Sequence, residues 1–284
     1  MRRARRLRFR VRPDAVTALA GAYRSTRPGT GLTFAELKAY EPGDDVRHLD
    51  WNVTARQGRP YVRRFVEERL LTLWLVVDVS ASLRFGPPGR SKADRVAQAA
   101  ALLAAAAIQG GDRAALILAS DRIERELPPC GGPRHLARML RALVATPSLS
   151  RRTDLAAVVP HLRRAGRRGL VVLLSDFLDP GPAPAWRSVG RRHEVIALRA
   201  VDPREEVLPS AGLVALEDSE RPGRLVVDAG SEKVRRAYAQ AGRDRRAAFR
   251  SWCGAVGAAG YDLRTTEDPI APLLRIFRGR AHRR

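Results

Sequence analysis

Cysteine is scarce in this chain of 284 residues, and long apolar runs are missing. The two cysteines, Cys130 and Cys253, are far apart and form no CxxC pattern. This argues against a structural zinc site or a disulfide framework and fits a reducing compartment. No apolar run reaches the roughly 18 residues that a membrane-spanning helix needs. These absences predict a cytoplasmic protein, with a position at the periphery of a membrane as the second option.

Lysine is the other scarce residue. Only Lys38, Lys92 and Lys233 are lysines, which leaves arginine for 49 of the 52 basic side chains, and the net charge is +22. Basic proteins often bind nucleic acid or anionic membrane surfaces, although GC-rich coding also produces arginine-rich chains whose charge is simply solvated. The arginines are spread along the whole chain without a recognisable reader motif. Because of the net charge, binding to nucleic acid or to an anionic surface is kept as the alternative function, although no motif supports it.

The first 69 residues form a basic N-terminal segment. Residues 1–12 carry seven arginines and no acid, which is typical of a disordered or surface-bound arm. The block YEPGDDVRHLDW at 40–51 contains three aspartates and one histidine, namely Asp44, Asp45, His48 and Asp50. They indicate either a metal or acid–base cluster, or a strand and turn whose acids pair with nearby arginines. The second interpretation is preferred because basic neighbours would neutralise the acids.

The rest of the chain alternates between apolar strands and helical patterns. The stretches LLTLWLVV at 70–77 and GLVVLLS at 169–175 predict strands buried on both faces. Helical patterns lie among such strands at 91–109, 133–145, 155–165, 231–256 and 269–277. The alternation predicts an α/β domain over 70–279, with a Rossmann-like, doubly wound, mostly parallel sheet. A β-hairpin insertion is expected at about 210–229, and a basic tail at 280–284.

Oxygen-bearing side chains follow the two apolar strands. Asp78, Ser80 and Ser82 come directly after the first strand, Asp176 follows the second, and Thr153 precedes the helix at 155–165. Because the carboxyl ends of parallel strands meet at one edge of a sheet, we expect the three loops to converge. Hard oxygen ligands suit Mg²⁺, with Mn²⁺ or Ca²⁺ as alternatives. The other interpretation is that the hydroxyls cap helices and the aspartates bind loop amides.

The pattern D-x-S-x-S at 78–82, with Thr153 and Asp176 downstream, resembles the metal-ion-dependent adhesion site of von Willebrand factor A-type domains. The block at 40–51 and the sequence Ser-Asp-Phe at 175–177 resemble the bacterial family called "domain of unknown function 58". The likeness extends over about residues 29–277. One departure is Phe177, which stands where many adhesion-type sites have glycine.

This resemblance implies a von Willebrand factor A-like domain that holds protein partners through a bound metal ion and carries out no chemistry of its own. The metal ligands would be Asp78, Ser80, Ser82, Thr153 and Asp176. A protein partner would supply an acidic ligand to the ion. The resemblance also implies a MoxR-type AAA+ ATPase as a partner, with this chain as an adaptor in the assembly or activation of other proteins.

A metal-dependent phosphotransferase or phosphatase is the enzymatic alternative, since a strand-end aspartate near Mg²⁺ could act as a nucleophile. The haloacid-dehalogenase-like pattern, however, requires a second aspartate where Ser80 stands. No lysine or histidine is expected in a position for acid–base work, and His135 is expected on a helix surface. A P-loop and a GxSxG elbow are also missing. The sequence therefore predicts that the protein is not an enzyme.

Overall fold

The computed structural model describes residues 13–24, 33–42, 44–66, 71–145, 150, 152–166, 168–217 and 223–281. The predicted arm at 1–12 and the last three residues of the predicted tail lie outside this range. The chain divides into two compact units, one at Thr26–Leu70 and the other formed by the remaining residues.

The described residues contain helices and strands in alternation. The helices are α1 (Pro13–Arg24), α2 (Trp51–Gln57), α3 (Lys92–Gln109), α4 (Pro133–Ala145), α5 (Val159–Arg164), α6 (Ala183–Gly190), α7 (Pro203–Glu206), α8 (Glu232–Val256) and α9 (Ile270–Ala281). The strands are β1 (Thr33–Ala39), β2 (Tyr61–Val66), β3 (Thr72–Asp78), β4 (Arg113–Ala119), β5 (Ile123–Cys130), β6 (Leu170–Ser175), β7 (Glu194–Val201), β8 (Leu213–Glu217), β9 (Arg224–Asp228) and β10 (Ala259–Arg264). Short 3₁₀ helices lie at Val46–His48, Ala81–Arg84 and Leu155–Val158.

The larger unit is built on a six-stranded sheet with the order β10-β7-β6-β3-β4-β5. Five strands are parallel, and β5 runs antiparallel to β4 at one edge. Every residue of β6 is buried, as is all of β3 after Thr72, which explains their continuous apolar sequences. The expected doubly wound, mostly parallel α/β fold is therefore confirmed, and the hairpin of β8 and β9 is present.

Helices cover both faces of this sheet, and β3 shows how its side chains divide between them. Leu73, Leu75 and Val77 belong to the core that α1, α3, α4 and α9 form on one face. Trp74 and Val76 belong to the core under α5, α6 and α8 on the other face. Because successive strand residues point to opposite faces, a single apolar run serves both cores.

The central helix α3 starts immediately after the loop that follows β3. Ser91 and Asp94 form a capping box: Ser91 Oγ accepts a hydrogen bond from the amide of Asp94, and Asp94 Oδ2 accepts one from the amide of Ser91. Alanine dominates the helix, so its backbone can approach the sheet closely. The cap fixes Lys92 as the first helical residue, which determines where its side chain goes.

Two local predictions are corrected. The helix expected at 155–165 is split into a 3₁₀ turn and the short helix α5, because Pro160 has no N–H to continue an α-helical ladder. His135 is buried, and its Nε2 lies 2.8 Å from the carbonyl oxygen of Ala114. It shares a face of α4 with the buried Met139 and Ala142, so helical spacing places it inward.

The edge strand β5 is irregular where two prolines occur. Leu127 pairs with Leu116 and Cys130 with Ala114, so Pro128 and Pro129 lie within a register shift. Proline has no N–H to donate to a sheet, which restricts it to edges and bulges. The bulge therefore follows directly from the sequence.

The smaller unit pairs β1 with β2 in antiparallel register and contains α2. Asp50 caps α2, and its Oδ1 accepts hydrogen bonds from the amides of Asn52 and Val53. Asp44 Oδ2 accepts a hydrogen bond from the amide of Glu41 and lies 3.6 Å from the ammonium of Lys38. Within the described ranges, no group of three or more His, Cys, Asp or Glu side chains is placed to hold one metal ion.

None of the helices in the described part of the chain is long and apolar enough to cross a membrane.

Candidate metal centre

Asp78 is the last residue of β3 and is only 2% exposed. Its Oδ1 accepts a hydrogen bond of 2.8 Å from the amide of Ser80, and its Oδ2 accepts one of 2.6 Å from the hydroxyl of Ser175. The hydroxyl oxygens of Ser80 and Ser82 are 3.0 Å apart, and both side chains are buried. Three of the five predicted ligands thus lie in one hydrogen-bonded cluster.

Ser175, which the sequence analysis did not select, ends the neighbouring strand β6. The pairing of Val77 with Leu174 brings the next residues, Asp78 and Ser175, side by side at the carboxyl edge. Ser175 Oγ also accepts a hydrogen bond of 3.0 Å from the amide of Phe177, so it connects β3 to the loop after β6. The two apolar runs ending together were the signal that could have identified it.

Thr153 is 5% exposed and lies in the loop that reaches the carboxyl end of β4. The amide of the next residue, Asp154, donates to the carbonyl of Ser120 at 2.9 Å. The amide of Val79 donates to the carbonyl of Ala119 at 2.8 Å, which ties the end of β3 to the same place. The side chain of Asp154 caps the 3₁₀ turn by accepting a hydrogen bond from the amide of Ala156. The loops carrying the predicted ligands therefore share one edge of the sheet.

Asp176 contacts a lysine that the sequence analysis did not expect. Lys92 Nζ is 2.8 Å from Asp176 Oδ2 and 2.8 Å from Glu205 Oε1, and its side chain is 1% exposed. Burial alone lowers the pKa of Lys92, but the charges of Asp176 and Glu205 outweigh it and raise the pKa above its ordinary value. The ammonium therefore stays protonated at neutral pH and is unsuited to act as a general base.

The sequence did contain a signal for Lys92. In a chain that uses arginine almost everywhere, one of three lysines stands at the start of the most apolar helix. A compact ammonium fits between two carboxylates in a closed space, whereas a planar guanidinium needs a wider site.

Asp78 differs from Asp176 in this respect. No cationic side chain in the described residues forms an ion pair with it. Burial, and secondarily the negative charge of Asp176, raises the pKa of Asp78 to about 7, although hydrogen bonds from Ser175 and Ser80 oppose the rise. A buried carboxylate without a cation, beside two hydroxyls and a second carboxylate, fits the oxygen ligand set that a hard divalent cation prefers.

The loop after β6 is anchored by aromatic packing. Phe177 has a φ of 57°, in the left-handed region where glycine is favoured. Its ring is buried, with its centroid 4.8 Å from that of Phe249 and 5.5 Å from that of Trp252. These contacts compensate the unfavourable backbone geometry and hold the segment that carries Asp176.

The class of protein defined by this structure is an α/β protein with a doubly wound, mostly parallel sheet that carries serine hydroxyls and aspartates at its carboxyl edge. The model of the family "Protein of unknown function DUF58" matches residues 36–248, and the chain belongs to this family. The uncharacterized proteins Mb1516 of Mycobacterium bovis and Rv1480 of Mycobacterium tuberculosis are each 36% identical over 280 residues, covering 97% of this chain and 88% of theirs.

Solved structures with a related fold are more distant. BatB from Bacteroides thetaiotaomicron is 13% identical, with a TM-score of 0.47, over 75% of this chain and 99% of that one. A von Willebrand factor type A protein from Catenulispora acidiphila is 14% identical, with a TM-score of 0.41, over 76% of this chain and 42% of that one.

Proposed function

We propose that this protein is a non-enzymatic adaptor that captures an acidic group of a partner protein through a bound divalent cation, Mg²⁺ in the first instance. The observation that carries the proposal is Asp78, a buried carboxylate with no cationic partner among the described residues, next to two buried hydroxyls. A cation would relieve the cost of that buried charge. The ligands would be Asp78, Ser80, Ser82, Thr153 and Asp176.

Asp78, Ser80 and Ser82 have roles that their environments support. The amide of Ser80 and the hydroxyl of Ser175 orient the Asp78 carboxylate, leaving further lone pairs on both oxygens. The hydroxyls of Ser80 and Ser82 would supply neutral oxygen ligands. The ion would polarise and hold an incoming carboxylate, while this chain supplies the fixed geometry around it.

The surroundings of the cluster favour a protein as the partner. Phe85, three residues after Ser82, is 37% exposed, and Leu178, two residues after Asp176, is 48% exposed. Apolar side chains next to a polar anchor are common at the centre of protein interfaces. Following the family resemblance, we propose a MoxR-type AAA+ ATPase as that partner.

The test is capture of a purified MoxR-type ATPase from the same genome on the immobilised full chain, in Mg²⁺ and in EDTA. Asp78→Asn is the informative variant, because it removes the negative charge while asparagine keeps the size of the side chain. Its amide oxygen can still accept the hydrogen bond from the amide of Ser80. Asp154→Asn is the matched control, since this exposed aspartate at the same sheet edge is not a proposed ligand.

Capture that requires Mg²⁺, is lost with Asp78→Asn and is kept with Asp154→Asn supports the proposal. Capture by Asp78→Asn that still responds to EDTA would show that the ion binds elsewhere. Equal capture in Mg²⁺ and EDTA would exclude an ion-mediated contact with this ATPase.

One surface feature favours the second candidate function, binding to nucleic acid or another anionic surface. Helix α4 contains no acidic residue, and Arg134, Arg138 and Arg141 are exposed at positions i, i+4 and i+7 on one face. Replacing these three arginines with glutamine should flatten the salt dependence of DNA binding. Weak DNA binding at physiological salt that is unchanged in this variant would remove the candidate.

A further inference from the structure

Lys92 has an environment that the proposed capture of a partner does not explain. A fully buried lysine is costly unless its charge is balanced, and the first turn of a helix is an unfavourable place for a cation. Lys92 nevertheless occupies the first position of α3 with 1% of its side chain exposed. Its ammonium is balanced by two carboxylates that come from distant parts of the chain, Asp176 and Glu205.

Glu205 is itself held in place by the turn that contains it. It is the third residue of α7, where it forms a capping box with Asp202: Glu205 Oε2 accepts the amide of Asp202 at 3.4 Å. Its other carboxylate oxygen, Oε1, accepts a hydrogen bond from the ammonium of Lys92. Its backbone carbonyl accepts a hydrogen bond of 2.8 Å from Arg245 on α8. The second partner of Lys92 is thus fixed independently of the metal centre.

We propose that Lys92 sets the charge of the metal centre, so that a bound divalent cation keeps a positive charge and selects an anionic ligand. This inference rests on the proposed function. Lys92 offsets part of the charge of Asp176, so the two proposed carboxylate ligands, Asp78 and Asp176, together present less than the two negative charges that would neutralise a dication. Two positive charges within several ångströms in a buried site repel each other appreciably. Lys92 therefore weakens the binding of the bare ion and strengthens the demand for an acidic partner.

Glu205 has the opposite effect in this arrangement. It draws part of the Lys92 charge away from Asp176, because the ammonium is equidistant from both carboxylates at 2.8 Å. Without the negative charge of Glu205, Lys92 would neutralise Asp176 more completely. Changes at the two ends of the same ion pair are therefore expected to move Mg²⁺ affinity in opposite directions.

The experiment is calorimetric titration of the full chain with Mg²⁺, comparing wild type, Lys92→Met and Glu205→Gln. Lys92→Met should bind Mg²⁺ at least ~10-fold more tightly, which corresponds to a change of one charge–charge interaction in a partly buried site. Glu205→Gln should bind it several-fold more weakly, while glutamine preserves the capping box. Lys233→Met, which removes an exposed lysine of α8, is the matched control and should leave the affinity unchanged.

A second titration tests ligand selection with acetate as the carboxylate probe, against chloride at equal ionic strength. Acetate should raise the apparent Mg²⁺ affinity of wild type more than that of Lys92→Met. If Lys92→Met does not fold because two carboxylates lose their cation, the double variant Lys92→Met/Glu205→Gln removes one of those charges and should still bind Mg²⁺ more tightly than wild type.

The outcomes separate this inference from the proposed function. Mg²⁺ binding by wild type that is lost in Asp78→Asn but unchanged in Lys92→Met, the double variant and Glu205→Gln overturns the inference alone. Absence of Mg²⁺ binding by wild type overturns both. Tighter binding in the lysine variant, weaker binding in the glutamate variant and a reduced acetate effect together support it.

Discussion

Replacing Asp78 by asparagine should make the metal-free protein more stable at pH 8, although it removes a charged group that accepts two hydrogen bonds. Burial and the nearby charge of Asp176 raise the pKa of Asp78 from 3.8 to about 7 in the folded protein. In the unfolded chain this carboxyl ionises near its ordinary pKa. Between these two values the folded state holds a proton that the unfolded state has released.

The sign of the pH dependence follows from this difference. Because the folded state binds more protons between about pH 4 and pH 7, the free energy of unfolding falls as the pH rises through that window. Each pKa unit corresponds to about 1.4 kcal/mol, so the ionised carboxylate costs on the order of 4 kcal/mol above pH 7. Below about pH 4 both states are protonated, and the cost vanishes.

Asparagine avoids this cost but loses the hydrogen bond from the Ser175 hydroxyl to Asp78 Oδ2, worth about 1–3 kcal/mol when a buried group is left unpaired. In EDTA, we therefore expect Asp78→Asn to be about 1–3 kcal/mol more stable than wild type at pH 8 and less stable near pH 4. Urea unfolding, followed by tryptophan fluorescence at half-unit pH steps, measures the difference between the two proteins.

The difference in unfolding free energy between the two proteins cancels the pH dependence of groups that do not interact with Asp78. Asp154→Asn, measured in parallel, is the control for replacing an exposed aspartate at the same sheet edge. Saturating Mg²⁺ should remove most of the advantage of Asp78→Asn, since a bound cation stabilises only the carboxylate form. A difference that is flat from pH 4 to pH 8, or that rises in favour of wild type, would refute the reasoning about Asp78.

Two further predictions concern the backbone at the two ends of β6. Gly169→Ala should destabilise the protein by about 2 kcal/mol or more in urea unfolding, because the added Cβ would lie 2.4 Å from the backbone oxygen of Thr72. Gly166→Ala is the control and should not destabilise the protein in this way, since a Cβ there would meet open space. Phe177→Gly should be about 1 kcal/mol more stable than Phe177→Ala in the same assay. Both variants lose the ring contact with Phe249, but only glycine adopts a φ of 57° without strain. Equal stability of the two variants would contradict the role given to that backbone geometry.

Most of the sheet could be predicted from the sequence because burial on both faces leaves a direct record. The runs that became β3 and β6 are apolar throughout, and the alanine-rich run of α3 begins with a capping pattern at Ser91. The four-residue helix α7 left no such record, because it is too short for any periodicity. The helix α2 was also missed, since its polar sequence shows no buried face.

Four of the five predicted ligands follow a strand, and the fifth, Thr153, was selected on a loop expected at the same sheet edge. Asp78, Ser80, Ser82 and Asp176 were selected because strand ends meet at one sheet edge, and whether they hold a metal stays a prediction. The ion pair of Lys92 could not be derived in this way. Its partners Asp176 and Glu205 lie 84 and 113 residues further along the chain, and nothing in local spacing links them.

The two prolines in β5 also restrict how this domain can meet other chains. A sheet edge normally offers alternating N–H and C=O groups, to which a further strand can add, from a partner or from a second copy. Pro128 and Pro129 remove the N–H groups of two consecutive residues of this edge strand, and the register of β5 shifts at the same place. Strand addition and edge-to-edge aggregation are thereby disfavoured along this side of the sheet.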